Sequence, residues 1–239
     1  MSSKIETAKI ENFLGKRVDG TKSRLPARLD YYQSATGLIL ALFMWGHMAL
    51  VSTALISEEL FDSLASFFEL EWLLGKGYPI IDSMIVFVLF IVFFTHAMLA
   101  LRKFPISYRQ WQIAREHSKL INHQDTNLWL VQIVTGFVMF FLGSIHLGIM
   151  CFMPETMNVE GAHNRIVEHN MWIFYVLLLV SVEFHALIGL YRLCVKWGWF
   201  DGVNVAQSRE RRKTLKTAMW VLIVFFLTLG CINIIHHFF

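Results

Sequence analysis

The chain has 239 residues, of which 56% are apolar and 16% charged, with a mean hydropathy of +0.51. A soluble domain carries about 25% charged residues, so this composition excludes a disordered chain and an ordinary soluble domain and reads as an integral membrane protein. The net charge of +3 is too small to argue for nucleic acid. Cys151, Cys194 and Cys231 lie apart with no CxxC, CxxCH or zinc spacing, which sets aside a disulfide scaffold, an iron–sulfur cluster and a covalently attached haem.

Residues 1–30 read as a cytoplasmic N-terminal arm. They carry Lys4, Lys9, Lys16, Arg17, Lys22, Arg24 and Arg28 without an apolar run, so no cleaved signal peptide is expected. A span needs about 20 mostly apolar residues to cross roughly 30 Å of hydrocarbon. Five stretches qualify, near Tyr31 to Ile56, Tyr78 to Leu101, Leu128 to Phe152, Met171 to Val195 and Thr217 to Ile235. They predict an all-α bundle of five transmembrane helices, with residues 31–239 forming a single membrane domain.

Lysine and arginine in the short loops set its direction. The segment after the second span holds Arg102, Lys103, Arg109, Arg115 and Lys119, and the one after the fourth holds Arg192, Lys196, Arg209, Arg211, Arg212, Lys213 and Lys216. The loop after the first span is acidic, with Glu58, Glu59, Asp62, Glu69 and Glu71 against Lys76. The loop after the third has only Arg165 beside Glu155, Glu160 and Glu168. The N-terminus is therefore expected in the cytoplasm and the C-terminus outside. Leu60 to Leu74 alternate acidic and apolar residues, as an interfacial helix on the outer surface would. No GxGxxG or P-loop is present, so no nucleotide or flavin fold is expected in this chain.

The spans contain an internal duplication. The first reads Gln33-x-x-Thr36-Gly37 followed by His47, and the third reads Gln132-x-x-Thr135-Gly136 followed, at the same spacing, by His146. The second and fourth share His96-Ala97-x-x-Ala100-Leu101 and His185-Ala186-x-x-Gly189-Leu190. At 1.5 Å per residue, His47 and His146 lie roughly 24 to 30 Å above the inner face, and His96 and His185 roughly 9 to 11 Å above it. Two level pairs result, His47 with His146 outside and His96 with His185 inside. Matched neutral imidazoles on facing helices are what a bis-histidine b-type haem requires, and Gly37, Gly46, Gly136, Gly143 and Gly189 would leave room for a macrocycle. His117, His123, His163, His169, His236 and His237 read as solvated or interfacial side chains. A haem-free transporter or assembly anchor, in which the four histidines serve packing alone, remains an alternative.

Further motifs carry a resemblance. Ser23-Arg24-Leu25-Pro26-Ala27-Arg28-Leu29-Asp30, Gln33-Ser34-Ala35-Thr36-Gly37, Arg102-Lys103-Phe104-Pro105-Ile106 with Tyr108-Arg109-Gln110, and Val195-Lys196-Trp197-Gly198-Trp199-Phe200-Asp201-Gly202 resemble the dihaem cytochrome b subunit of menaquinol:fumarate reductases, within the succinate:quinone oxidoreductases. The likeness runs from about Lys22 to about Lys216. It implies a multi-pass anchor in the bacterial inner membrane that binds two haems b through His47, His96, His146 and His185. Gln33, Ser34, Trp129 and Lys196 would hold the inner propionates and Arg165 an outer one. The implied substrate is menaquinol. The implied partners are FAD and iron–sulfur subunits on the cytoplasmic face, with dicarboxylate chemistry on another subunit, and a dimer of the heterotrimer is left open. The reverse direction, succinate to quinone, uses the same parts. The cytochrome b of a hydrogenase or formate dehydrogenase has its partner outside, which the basic inner loops disfavour.

Two carboxylates are expected to move protons. Quinol that gives up electrons must also lose two protons, and Glu69, to which the resemblance also points, is the expected base near the outer haem, with Glu71 as fallback. Glu183 lies well inside the fourth span, where an acid costs about 2.5 to 3.5 kcal/mol on insertion scales. Two residues before His185 it is turned about 200° from that ligand, and it is expected to relay protons inward alongside electrons.

Overall fold

A computed structural model describes residues 24–105, 107–121 and 124–239. Most of the basic N-terminal arm and His123 lie outside the described residues, as do the side chains of His117 and Lys119. Among the described residues there are helices and no strands, and five helices are long and apolar enough to cross a membrane.

The first span is α1 (Leu25–Ser52), which starts six residues before the expected Tyr31 because Pro26 occupies its first turn, where a missing N–H costs nothing. The acidic loop holds α2 (Glu58–Phe68), capped by Ser57, whose hydroxyl accepts Leu60 N–H at 3.3 Å, and the single turn α3 (Glu71–Leu74). The one interfacial helix expected from Leu60 to Leu74 is thus broken. Leu70 takes φ 60° between the two pieces, which leaves Glu69 at the break as the C-cap of α2.

The second span is α4 (Pro79–Leu101), again with a proline in its first turn. After α5 (Tyr108–Ile121) comes the third span, α6 (Gln124–Phe152); the second acidic-side loop contains the short α7 (Val159–His163) and a π turn over Asn164–Glu168. The fourth span, α8 (Trp172–Trp197), stops where Gly198 adopts φ 63°. The fifth, α9 (Val205–His236), starts well before Thr217, because Asn204 caps a charged segment that continues into the apolar one.

Helix α1 packs on α4, α4 on α6, α6 on α8 and α8 back on α1, so four antiparallel spans close a ring around a central space. Helix α9 lies outside the ring against α8 and α1. Its seam is the best-filled part of the protein: Leu187, Ile188, Met219 and Ile223 are buried there with Leu128, and Met44, Met48 and Leu179 form a second cluster, with Trp45 stacked on Phe226. Outward-facing Ile39, Phe87, Val88, Ile91 and Val134 are exposed, as residues that meet lipid should be. At the basic end, Asp30 of α1 receives Arg102, Lys103 at 2.9 Å and Lys196 at 3.4 Å, which ties α1 to the ends of α4 and α8. At the acidic end, Ser83 Oγ donates to the Cys151 carbonyl at 2.7 Å and joins α4 to α6.

Candidate functional site

The ring surrounds a cavity of about 1090 Å³, just above the roughly 300–1,000 Å³ range of small-molecule sites. His47, His96, His146 and His185 all line it. They meet in the expected pairs. The rings of His47 and His146 are 6.1 Å apart between centroids, and those of His96 and His185 are 6.3 Å apart. One metal atom between two imidazoles, with bonds of about 2.0–2.1 Å and roughly 1.1 Å from each nitrogen to its ring centre, calls for about 6.2–6.4 Å.

The pair at the basic end is held from behind. His96 Nδ1 lies 3.1 Å from the Gln33 carbonyl and 3.2 Å from Thr36 Oγ1, and His185 Nδ1 lies 2.9 Å from the Gln132 carbonyl. An Nδ1–H donated to a carbonyl fixes the tautomer and leaves Nε2 as the free, basic nitrogen of a metal ligand. The glycines that follow have a specific job here. A Cβ at Gly37 would sit 2.8 Å from His96 Cε1, and one at Gly136 2.6 Å from His185 Cε1, so each glycine seats the facing imidazole. Gly46, by contrast, faces open space.

At the other end His47 stacks on Phe43 with ring centroids 5.8 Å apart, His146 meets Tyr175 edge-on at 5.8 Å, and His146 Nδ1 is buried without a partner among the described residues. Two protein ligands per site are too few for a bare ion. Two imidazoles per site are the donors that a bis-histidine haem takes from a protein.

The expected propionate partners divide by position. Gln33, Ser34 and Lys196 line the basic end of the cavity with Lys103 and Arg192; Gln33 Oε1 is buried without a partner, and Lys196 Nζ reaches Ser34 Oγ at 3.3 Å. Trp129 is half-buried on α6 and does not line the cavity. Arg165 lines the acidic end, donating through Nη1 to Thr156 O at 2.8 Å and Thr156 Oγ1 at 2.7 Å while its buried Nε has no partner. Cations at both ends, and the unpartnered Arg165 Nε–H at the acidic one, suit a ligand with carboxylates at its edge. The donor set, the cavity and these orphaned groups all fit haem b.

Glu69 does not line the cavity. Its carboxyl lies over Gly77, where a Cβ would collide with Oε2, and its carbonyl accepts Tyr78 N–H at 3.2 Å. Burial first and the Glu71 carboxylate second push the Glu69 carboxyl above the usual carboxylate range. Glu183 is 0% exposed, with both carboxyl oxygens unpartnered among the described residues. It is also off the cavity wall, on the face of α8 whose Leu179 and Leu187 pack towards α1 and α9. The turn away from His185 is as expected. His237 corrects the sequence reading: it is 8% exposed and lines the cavity, because Asn233 Nδ2 donates to the Val51 carbonyl at 2.7 Å and draws the last turn of α9 against α1.

Residues 108–229 match the family described as succinate dehydrogenase/fumarate reductase transmembrane subunit. The fumarate reductase cytochrome b subunit of Wolinella succinogenes is 46% identical over 223 residues, covering 92% of this chain and 87% of that protein. That of Helicobacter pylori strain 26695 is 47% identical over 221 residues, covering 92% and 84%. The chain belongs to this family. It is a multi-pass membrane subunit of the fumarate reductase type of oxidoreductase.

Proposed function

We propose that the chain is the quinone-reactive dihaem cytochrome b anchor of a fumarate reductase complex, oxidising menaquinol on behalf of iron–sulfur and FAD subunits at the cytoplasmic face. The observation that carries this reading is the pair of imidazole separations, 6.1 and 6.3 Å, in one cavity. The two haems b would supply one-electron carriage between the two ends of the bundle. The lysine and arginine bias makes the Asp30 end cytoplasmic and the Glu69 end outer.

Each residue then has a task. His96 and His185 hold the inner site in a tautomer set by Gln33 and Gln132, and His47 with His146 holds the outer one. Gln33, Ser34 and Lys196, which line the cavity, serve the inner carboxylates and Arg165 an outer one. Glu69 takes up quinol protons at the outer surface. Inward movement of an electron against a potential negative inside costs about 2.3 kcal/mol per 100 mV; Glu183, holding and releasing a proton at its carboxylate along the α8–α9 seam, lets a proton travel with it and cancels the charge. Glu183→Gln should abolish quinol-driven fumarate reduction with both haems retained, and normal, electroneutral turnover in proteoliposomes would remove it from the mechanism.

The direct test of the whole reading is a reduced-minus-oxidised spectrum with a redox titration of the purified complex. Two b-type components are expected. A spectrum without haem would leave the histidines as packing groups and return the chain to the anchor or transporter alternative.

A further inference from the structure

Helix α4 carries one acid in a span whose other polar side chains are Ser83, Thr95 and His96. Asp82 stands in its first turn, between Ile81 and Ser83. An acid there ordinarily complements the helix dipole from water. Asp82 is instead 8% exposed, and it lines the central cavity. Among the described residues its carboxylate makes no hydrogen bond or ion pair, and the charge it meets is that of Glu69. The backbone beside it is tied to α6: the neighbouring Ser83 Oγ donates to the Cys151 carbonyl at 2.7 Å.

An unpartnered carboxylate on a cavity wall is poorly satisfied until something in the cavity donates to it. The surroundings select the donor. Phe61, Ala65 and Phe68 of α2 roof this end of the cavity, Ile85 and Val86 continue the wall below Asp82, and His47 and His146 lie in the same enclosure. A flat apolar ring bearing a hydroxyl fits such a place. Glu69, the expected base, faces Gly77 in the loop and is absent from the cavity wall.

We propose that Asp82 is the catalytic carboxylate that receives quinol protons inside the cavity, and that Glu69 is the next station, passing them to outer water. The inference rests on the quinol-oxidising function proposed above. Its balance is simple. One quinol becomes one quinone; two O–H bonds break, two protons go in turn to the Asp82 carboxylate, then to Glu69, then to solvent, and the two electrons need the one-electron acceptors that bound haem b would supply. Asp82 is ionised again after each transfer.

The test uses the whole membrane complex with a short-chain naphthoquinol as donor, and reads turnover, haem spectra and dye-linked succinate oxidation. Asp82→Asn keeps the shape and removes the proton acceptor, so quinol oxidation should fall by roughly 10²- to 10⁴-fold, with both haem spectra and the dye-linked activity unchanged. Asp82→Glu should restore part of the rate. Because the two acids act in series, Asp82→Asn combined with Glu69→Gln should be no slower than the slower single variant. Wild-type turnover in Asp82→Asn would overturn this inference alone, as would loss of the outer haem in that variant, which would make Asp82 structural. Multiplying defects in the double variant would overturn the serial order. A wild-type complex with two haems but no quinol oxidation would overturn the functional reading, and this inference with it.

Discussion

The inner imidazoles are each braced by a backbone carbonyl, at 3.1 and 2.9 Å, and each rests on a glycine of the facing helix. The outer pair has neither device: His47 leans on Phe43, and His146 Nδ1 is buried without a partner among the described residues. The two pairs nevertheless keep nearly the same separation. The inner site is therefore pre-organised by the helices themselves. The outer one depends on aromatic packing and on the loops that carry Arg165 and α2, and in the proposed function that is the end where quinol enters and leaves. Backbone bracing at the pair proposed only to pass electrons, and side-chain packing alone at the pair proposed to meet the quinol, is the division this comparison teaches.

The sharpest way to break it is to remove ligands. His47→Ala and His146→Ala should each deplete the outer haem, and His96→Ala and His185→Ala the inner one, so that a redox titration loses a different component in each set. Loss of the same component from His47→Ala and His96→Ala would show that the pairing is wrong. Next in size, Glu69→Gln should lower quinol oxidation by about 10²- to 10⁴-fold while haem content and dye-linked activity persist; normal quinol turnover would remove Glu69 from the mechanism.

A smaller effect separates the two supports. In Gly136→Ala the new Cβ would meet His185 Cε1 at 2.6 Å, and the ring cannot retreat without losing the Gln132 carbonyl. Overpacking of this kind costs about 1–3 kcal/mol, roughly 5- to 150-fold in binding, and it should weaken the inner haem only. Equal loss of both components on titration with a haem competitor would show that the bracing is not local.

The smallest expected change is in pH dependence. Glu69 must be ionised to accept a proton, and burial together with the neighbouring Glu71 makes it harder to ionise. Quinol oxidation should then rise with pH along a limb set above the ordinary carboxylate range. Glu71→Gln removes one of the two causes and should move that limb to lower pH. An unmoved limb would assign it to another group.

Five apolar runs, the loop charges and the duplicated Gln-x-x-Thr-Gly and His-Ala motifs stand in the one-dimensional chain, because lipid demands long apolar helices and a repeated helix pair repeats its register. The helix number and the matched histidines were legible for that reason. Helix ends were less so: α1 and α9 continue into charged residues, where hydropathy falls but backbone hydrogen bonding does not. The break at Leu70 and the inward turn of His237 depend on backbone dihedrals and on the bond from Asn233 to Val51, contacts that no periodicity announces.

Inside the site, the motif was visible but its physics was not. A sequence displays Gln33 and Gly37 as side-chain identities, whereas their roles here are a main-chain carbonyl and an absent Cβ, each meeting a ring on another helix. Asp82 escaped for the opposite reason, since an acid in a first turn looks like an ordinary dipole partner until the ring of helices closes over it. Local chemistry and membrane thickness determine which residues cross and at what depth. Only the packing of α1, α4, α6 and α8 decides which of them face one another across the cavity, because that depends on helix rotation and on neighbours far away in the chain.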